Sequence, residues 1–234
     1  MRQIILDTET TGLDPRQGHR VIEIAAVEMQ NRRLTGNHFH RYLNPDRDIE
    51  EGALQVHGIT RDFLQDKPRF ADIAAEFAEF VQGAELIIHN APFDTAFLNA
   101  EFALHGMNNL QAYSGEVIDT LLMARNLHPG QRNSLDALCK RYGVDNSTRT
   151  LHGALLDCEL LAQVYLAMTR GQETLVMETV VSTGAEAKSS TGKQRPRPFA
   201  IVPTAEDLTA HLELLKQIER ESGGACLWKQ EQSN

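Results

Sequence analysis

The chain has 234 residues, of which 41% are hydrophobic and 24% charged, and its net charge at pH 7 is −9. That length allows one sizeable core and a small appendage, and no apolar run approaches the ~18–20 residues of a membrane span. The acidic balance argues against an unaided grip on nucleic acid, which takes a basic face, and three widely spaced cysteines (Cys139, Cys158, Cys226) argue against a disulfide framework or a zinc site.

Odd, scattered cysteines fit a reducing cytoplasm, and Ile4-Ile5-Leu6 is too short an apolar run for a secretory signal. In chain order, Ile4 to Gly12 reads as an apolar strand that runs into two carboxylates and a turn. Residues two apart on a strand share a face, so Asp7 and Glu9 project together. Carboxylates that close repel, and one protonates unless a cation lies between them. A hard divalent ion suits such oxygen ligands; a solvated acidic strand end is the alternative from these residues alone. Arg20–Gln30 and His38–Leu43 read as two further strands, the second ended by Asn44-Pro45, so Arg2 to Leu43 is predicted to be an antiparallel meander.

Apolar residues at helical spacing (Phe70, Ile73, Phe77, Val81) predict a helix over 70–81, stopped by Gly83. Leu86-Ile87-Ile88 reads as a brief buried strand, after which Pro92 opens a helix to about His105. Helices are also predicted over 118–127, over 134–142 with Ser134 or Asn133 as cap, and over 152–168. Strands first and helices later around one core suggest an α/β domain with a mixed sheet, ending near Gly171. Residues 178–198 lose all periodicity and read as a flexible linker. Beyond it, Thr204 to Asp207 matches a helix start, and Leu208, Leu212, Leu215 and Ile218 form one apolar stripe before Gly223-Gly224. With Leu227 and Trp228, the only tryptophan, this segment suggests docking onto another protein, since a lone helix of this length is marginal in water.

Three positions join Asp7 and Glu9. Asp94 sits at a strand-to-helix junction, where an acid can also simply complement the helix dipole. His152 and Asp157 are five apart, roughly 140° around a helix, and so reach one site only if His152 stands in the loop or first turn. Together these residues resemble the exonuclease superfamily named for four acidic residues and a histidine. The phrases LDTETTG from Leu6, VHGIT from Val56, HNAPFD from His89, RNSLDALC from Arg132 and RTLHGALLD from Arg149 narrow the resemblance to the proofreading 3′→5′ exonuclease subunits of bacterial DNA polymerase III.

That resemblance implies a ribonuclease H-like α/β/α fold with a mixed five-stranded sheet over residues 1–171. It implies two divalent metal ions, Mg²⁺ or Mn²⁺, with Asp7, Glu9 and Asp157 as ligands, Asp94 supporting the second metal largely through water, and His152 as general base. Thr10 and His57 match positions that contact the terminal nucleotide, alongside Asp7, Glu9 and Asp157. Gly52 departs from relatives that carry an acidic substrate contact there, although Glu51 is adjacent. Phe93 and Phe97 could stack on bases, but core packing is the simpler role for both. Within 172–198, Gln172, Leu175 and Met177 resemble a peptide that binds the sliding clamp. Residues 199–234, through Leu208, Leu212, Leu215, Leu227 and Trp228, resemble the segment that binds the polymerase alpha subunit. A small accessory subunit is a further possible partner, and the setting is the bacterial cytoplasm at the nucleoid. Tethering beside a polymerase raises effective concentration and would explain how so acidic a nuclease reaches a DNA 3′ end. An enzyme of the same superfamily that trims RNA ends and a non-enzymatic polymerase–clamp adaptor are the alternatives; the first would not need the tail, and the second would not need all five catalytic-type residues.

Overall fold

A computed structural model describes residues 2–170 and 205–221. The apolar residues of the opening stretch make β1 (Arg2–Thr10), followed by β2 (Val21–Gln30), β3 (Arg33–Tyr42), β4 (Glu85–Ile88) and β5 (Val117–Asp119). They form one sheet in the order β3-β2-β1-β4-β5. β1 pairs antiparallel with β2 and parallel with β4, so it lies at the centre, and the sheet is mixed. Strand alternation divides its side chains. Ile4 and Leu6 pack with α3 (Phe70–Val81) and α4 (Ala91–Leu104) on one face. Ile5 packs with α6 (Leu135–Tyr142) and α7 (Ala154–Met168) on the other. All three are fully buried, each contributing about 1.5–3 kcal/mol relative to exposure. The result is the expected three-layer α/β/α arrangement.

Three local features differ from the pattern read along the chain. Residues 117–119 form β5, and the helix predicted from Ile118 begins only at Thr120, as α5 (Thr120–Leu127). Asp119 ends the strand and caps the helix, its Oδ1 accepting from the backbone N–H groups of Leu121 (2.9 Å) and Leu122 (3.3 Å). A three-residue strand is too short to display its own period. β3 starts at Arg33 rather than His38, because a two-residue hairpin turn places Asn31 and Arg32 at φ 51° and 61°. That mirror-image turn favours glycine; here Arg32 is held by bonds to Thr169 Oγ1 (2.8 Å) and the Leu166 carbonyl (3.0 Å), a tertiary contact invisible in local sequence. The short α1 (Glu51–His57) and α2 (Arg61–Leu64) complete less than two turns each, and so leave no periodic signal.

The chain divides into two compact units, Met1–Met177 and Glu178–Asn234. In the second, α8 spans Ala205–Glu221. Leu215 is buried and Leu212 is 56% exposed, so the predicted stripe is only partly covered. The Leu208 side chain, the predicted clamp-binding residues Gln172, Leu175 and Met177, the linker, Leu227 and Trp228 lie outside the described residues.

Candidate active site

β1 carries Asp7 and Glu9 on the face that it turns towards α7. Its pairing with β2 shifts register between Glu9 and Thr10; such bulges bend a strand end and re-aim its side chains. The turn that follows is fixed by packing. A Cβ at Gly12 would overlap the His19 ring, which is itself held by Thr11 Oγ1 (3.1 Å) and Glu50 Oε1 (3.0 Å).

Asp94 arrives in the first turn of α4. Thr8 of β1 donates to Asp94 Oδ1 through both its backbone N–H (3.1 Å) and its hydroxyl (2.7 Å), so the carboxylate is locked to the strand end. The turn into α4 needs Asn90 in the left-handed region at φ 67°, a conformation that asparagine tolerates better than most residues. Asp157 lies in the first turn of α7. His152 stands in the loop before it, anchored by its backbone N–H to the Val56 carbonyl (3.1 Å), with Nδ1 3.6 Å from Asp157 Oδ2. The condition set by their five-residue spacing is met. Gly153, between His152 and α7, has an extended backbone (φ −152°), and a Cβ there would meet nothing, so the geometry does not require glycine.

Asp7, Glu9, Asp94, His152 and Asp157 thus line one open cavity of about 750 Å³, whose apolar wall includes Leu13 and Phe93. Ligand-type atoms of Glu9, His152 and Asp157 lie within 4.8 Å of one another. Burial, then the charges of Asp157, Glu23 and Asp94, push Glu9 up to about 8. Burial pushes Asp94 up to about 7 against the opposing hydrogen bonds from Thr8. Asp7 is driven well above the usual carboxylate range by burial and by Asp94, Glu9, Asp157 and Glu23. His152 moves down, through burial and the adjacent Arg149. Arg149 opposes the shift at Glu9, but its guanidinium is taken by Asp157, and burial with repulsion between carboxylates raises all three acids. A hard divalent cation bound by their oxygens would fit the donor set and reverse the shifts.

A family model described as Exonuclease (RNase_T) matches residues 4–165. The chain is 50% identical over 237 residues to DNA polymerase III subunit epsilon of Pasteurella multocida (strain Pm70), covering 97% of this chain and 93% of that protein. It is 48% identical over 238 residues to the subunit of the same name in Escherichia coli (strain K12), covering 97% of each. The chain belongs to the exonuclease family, in its DNA polymerase III epsilon branch. Among solved structures it resembles Exonuclease X in complex with 5′ overhanging duplex DNA, with a TM-score of 0.57 and 30% identity over 72% of this chain and 91% of that one. A zinc-bound E. coli ExoI–ssDNA complex shares the fold, with a TM-score of 0.64 and 22% identity over 73% of this chain and 41% of that one.

Other expected residues of this epsilon-type exonuclease stand differently. Thr10 is buried, its hydroxyl donating to the Gly12 carbonyl (2.7 Å), and neither it nor His57 is on the cavity wall. His57 ends α1, where its Nδ1 accepts from the Ile59 N–H (2.9 Å). That assigns the proton of the neutral ring to Nε2, which is buried with no hydrogen-bond partner among the described residues. Gly58 follows at φ 70°, where a Cβ would press on Leu151, one residue before His152. Glu51 and Gly52 are exposed on α1, away from the cavity. Phe97 is core, whereas Phe93, 4.9 Å from it between ring centroids, reaches the cavity.

Two residues that the sequence reading left without a role bear on the site. Glu23 of β2 is buried opposite Glu9 and lies 2.7 Å from His40 Nε2; it also accepts from the Ala154 N–H (3.2 Å), capping the helix that carries Asp157. Arg149 grips Asp157 with Nε and Nη2, each at 2.5 Å. Glu23 gave a faint signal as the one acid flanked by apolar residues in Val21-Ile22-Glu23-Ile24-Ala25. Arg149 gave none beyond lying within a quoted phrase.

Proposed function

We propose that this 3′→5′ DNA exonuclease is the proofreading subunit of a replicative DNA polymerase III. It removes nucleotides from single-stranded or mismatched 3′ ends during DNA replication. The observation that carries the reading is the convergence of Asp7, Glu9, Asp94, His152 and Asp157 on one cavity, where burial raises the proton affinity of three of the acids. Asp7, Glu9 and Asp157 would hold divalent metal, Mg²⁺ or Mn²⁺, with Asp94 supporting a second ion from its anchor on Thr8. Bound cations supply polarisation of the phosphoryl group and balance the charge that develops during in-line attack.

The chain's own groups do the rest. His152 is half exposed to the cavity and held below the usual histidine range, so at neutral pH its ring is free to take the proton of an attacking water. The water oxygen bonds to phosphorus as the bond to the leaving 3′-oxygen breaks, freeing a nucleoside 5′-monophosphate. Leu13, 80% exposed, and Phe93 offer an apolar platform for the terminal bases. His57 Nε2–H, buried and without a hydrogen-bond partner among the described residues, supports a role as donor to the terminal nucleotide, with Thr10 shaping the turn beside it.

The polymerase named in the relatives' descriptions is the partner we assign to residues 199–234. The alpha subunit would be engaged through Leu208, Leu212, Leu215, Leu227 and Trp228, and the sliding clamp through Gln172, Leu175 and Met177. The setting is the bacterial cytoplasm, and none of the described helices is long and apolar enough to cross a membrane.

The test is hydrolysis of 3′-labelled single-stranded DNA by the purified chain in Mg²⁺, with EDTA and Asp7→Ala controls and an RNA substrate alongside. Metal-dependent release of DNA mononucleotides, lost in Asp7→Ala, is expected; preference for RNA would overturn the replicative reading. Truncation after Gly171 should keep that hydrolysis and lose capture of the polymerase. Undiminished capture would remove the role of the tail.

A further inference from the structure

The Arg149 side chain is 5% exposed and divides its guanidinium between two acids. Nε and Nη2 take both oxygens of Asp157 at 2.5 Å, and Nη1 donates to Asp136 Oδ1 at 2.8 Å. Asp157 is itself 6% exposed and lines the catalytic cavity, while Asp136 is 57% exposed in the first turn of α6. The fork geometry is the strong, bidentate form of an arginine–carboxylate pair. It has a consequence for the cation site. The oxygens assigned above to metal are already bonded to a positive group, and a divalent ion on the same carboxylate would lie against that group's charge. Arg149 also sits three residues before His152 in the loop that leads into α7, and both side chains face Asp157.

We propose that Arg149 is a resident counter-cation of the site. It holds Asp157 while no divalent ion is bound and shifts onto Asp136 when one enters, so that metal entry and the position of the His152 loop are coupled. The proposal rests on the cation reading of the carboxylate cluster. It explains why Asp157, alone among the four acids of the site, has a cationic partner among the described residues: a buried carboxylate without one is costly. Asp136, already bonded to Nη1 and partly in solvent, is the acceptor to which the guanidinium can turn without losing all its bonds.

An arginine that merely ties the loop to α7 would act in the opposite direction, since its loss would let Asp157 wander and would weaken metal binding. The experiment is Mn²⁺ titration of the full chain, read by the electron paramagnetic resonance signal of free Mn²⁺. The proteins are the wild type, Arg149→Gln, Asp136→Asn and the control Asp7→Ala. Arg149→Gln is expected to bind Mn²⁺ about tenfold more tightly, the effect of removing one competing charge at this range. Asp136→Asn is expected to bind a few-fold more weakly, because the guanidinium then keeps Asp157 alone. Mn²⁺ should raise amide hydrogen exchange in residues 148–152 of the wild type but not of Arg149→Gln. Unchanged or weaker binding by folded Arg149→Gln would overturn the proposal. If Arg149→Gln does not fold, equal or tighter binding by Asp136→Asn would do so instead. A wild type that binds no Mn²⁺ would overturn the underlying cation reading as well, and Arg149 would then be a structural tie.

Discussion

Glu101 and Glu9 are both buried acids of the same unit, and the fold treats them in opposite ways. Glu101, 2% exposed, receives Arg20 through Nε (2.8 Å) and Nη2 (2.6 Å) and the Val21 backbone N–H (3.1 Å). Glu23, 1% exposed, likewise has His40 and the amino end of α7. Around Glu9 and Asp7, among the described residues, no hydrogen-bond donor reaches either side chain, and three more acids crowd in. This chain therefore has the means to satisfy a buried carboxylate and withholds them at one place. A cluster left short of positive charge is a site for a cation from outside. Asp157 is intermediate, with a protein partner that can be exchanged.

The sharpest way to break that contrast is to remove the open acids. Asp7→Ala or Asp157→Ala should reduce Mg²⁺-dependent hydrolysis to the blank, well beyond the ~10–100-fold typical of groups that only support metal ligands. Asp7→Ala should also melt no lower than wild type in EDTA, because it relieves repulsion. Retained metal-dependent turnover would mean that the metal binds elsewhere. Next in size is His152→Ala, expected to lower turnover ~10²–10⁴-fold with little change in Mn²⁺ affinity. His152 lies close enough to Glu9 and Asp157 to ligate an ion, so a parallel loss of affinity would recast it as a ligand.

How much of this was legible in the sequence follows from the range of each signal. Asp7 and Glu9 were placed on one face by strand period alone, whereas the angle that five residues subtend on a helix gave only a condition, that His152 stand in the loop or first turn if it shares a site with Asp157. Asp94 could be placed at a helix start, but not against Thr8, because that contact joins residues 86 apart. The bulge at Glu9, the hairpin through Arg32, the short β5 and the partnership of Arg149 with Asp157 and Asp136 are products of tertiary contact. They leave no periodic trace. The resemblance to known exonucleases supplied the fifth strand and the grouping of the five residues. It did not supply Arg149, whose phrase was quoted without a role.

A smaller effect is expected on the satisfied side of the comparison. Glu101→Gln leaves the Arg20 guanidinium, 25% exposed, short of its countercharge. The cost should be about 3 kcal/mol, the low end for breaking a buried pair given that partial exposure. Urea denaturation would measure it, and Mg²⁺-dependent turnover per folded molecule should hold. A drop in turnover as large as that of Asp7→Ala would show that the two groups of acids are not independent.

The most diagnostic effect is the pH dependence of the metal-free protein. An acid whose proton affinity is raised by folding stabilises the fold below its unfolded pKa and loses that contribution as pH rises through the folded value. For Glu9 that window runs from 4.5 to about 8, for Asp94 from 3.8 to about 7, and Asp7 moves in the same direction. In EDTA, stability should therefore fall as pH rises across the neutral range, by at most about 1.4 kcal/mol per pH unit for each such group. Glu9→Gln should flatten the slope. Saturating Mg²⁺ should abolish it, since a cation that pairs with the carboxylates makes their charged form the stable one. A metal-free protein whose melting temperature stayed level or rose between pH 6 and 8 would show that the cluster carries its own compensation, and the contrast between Glu9 and Glu101 would be lost.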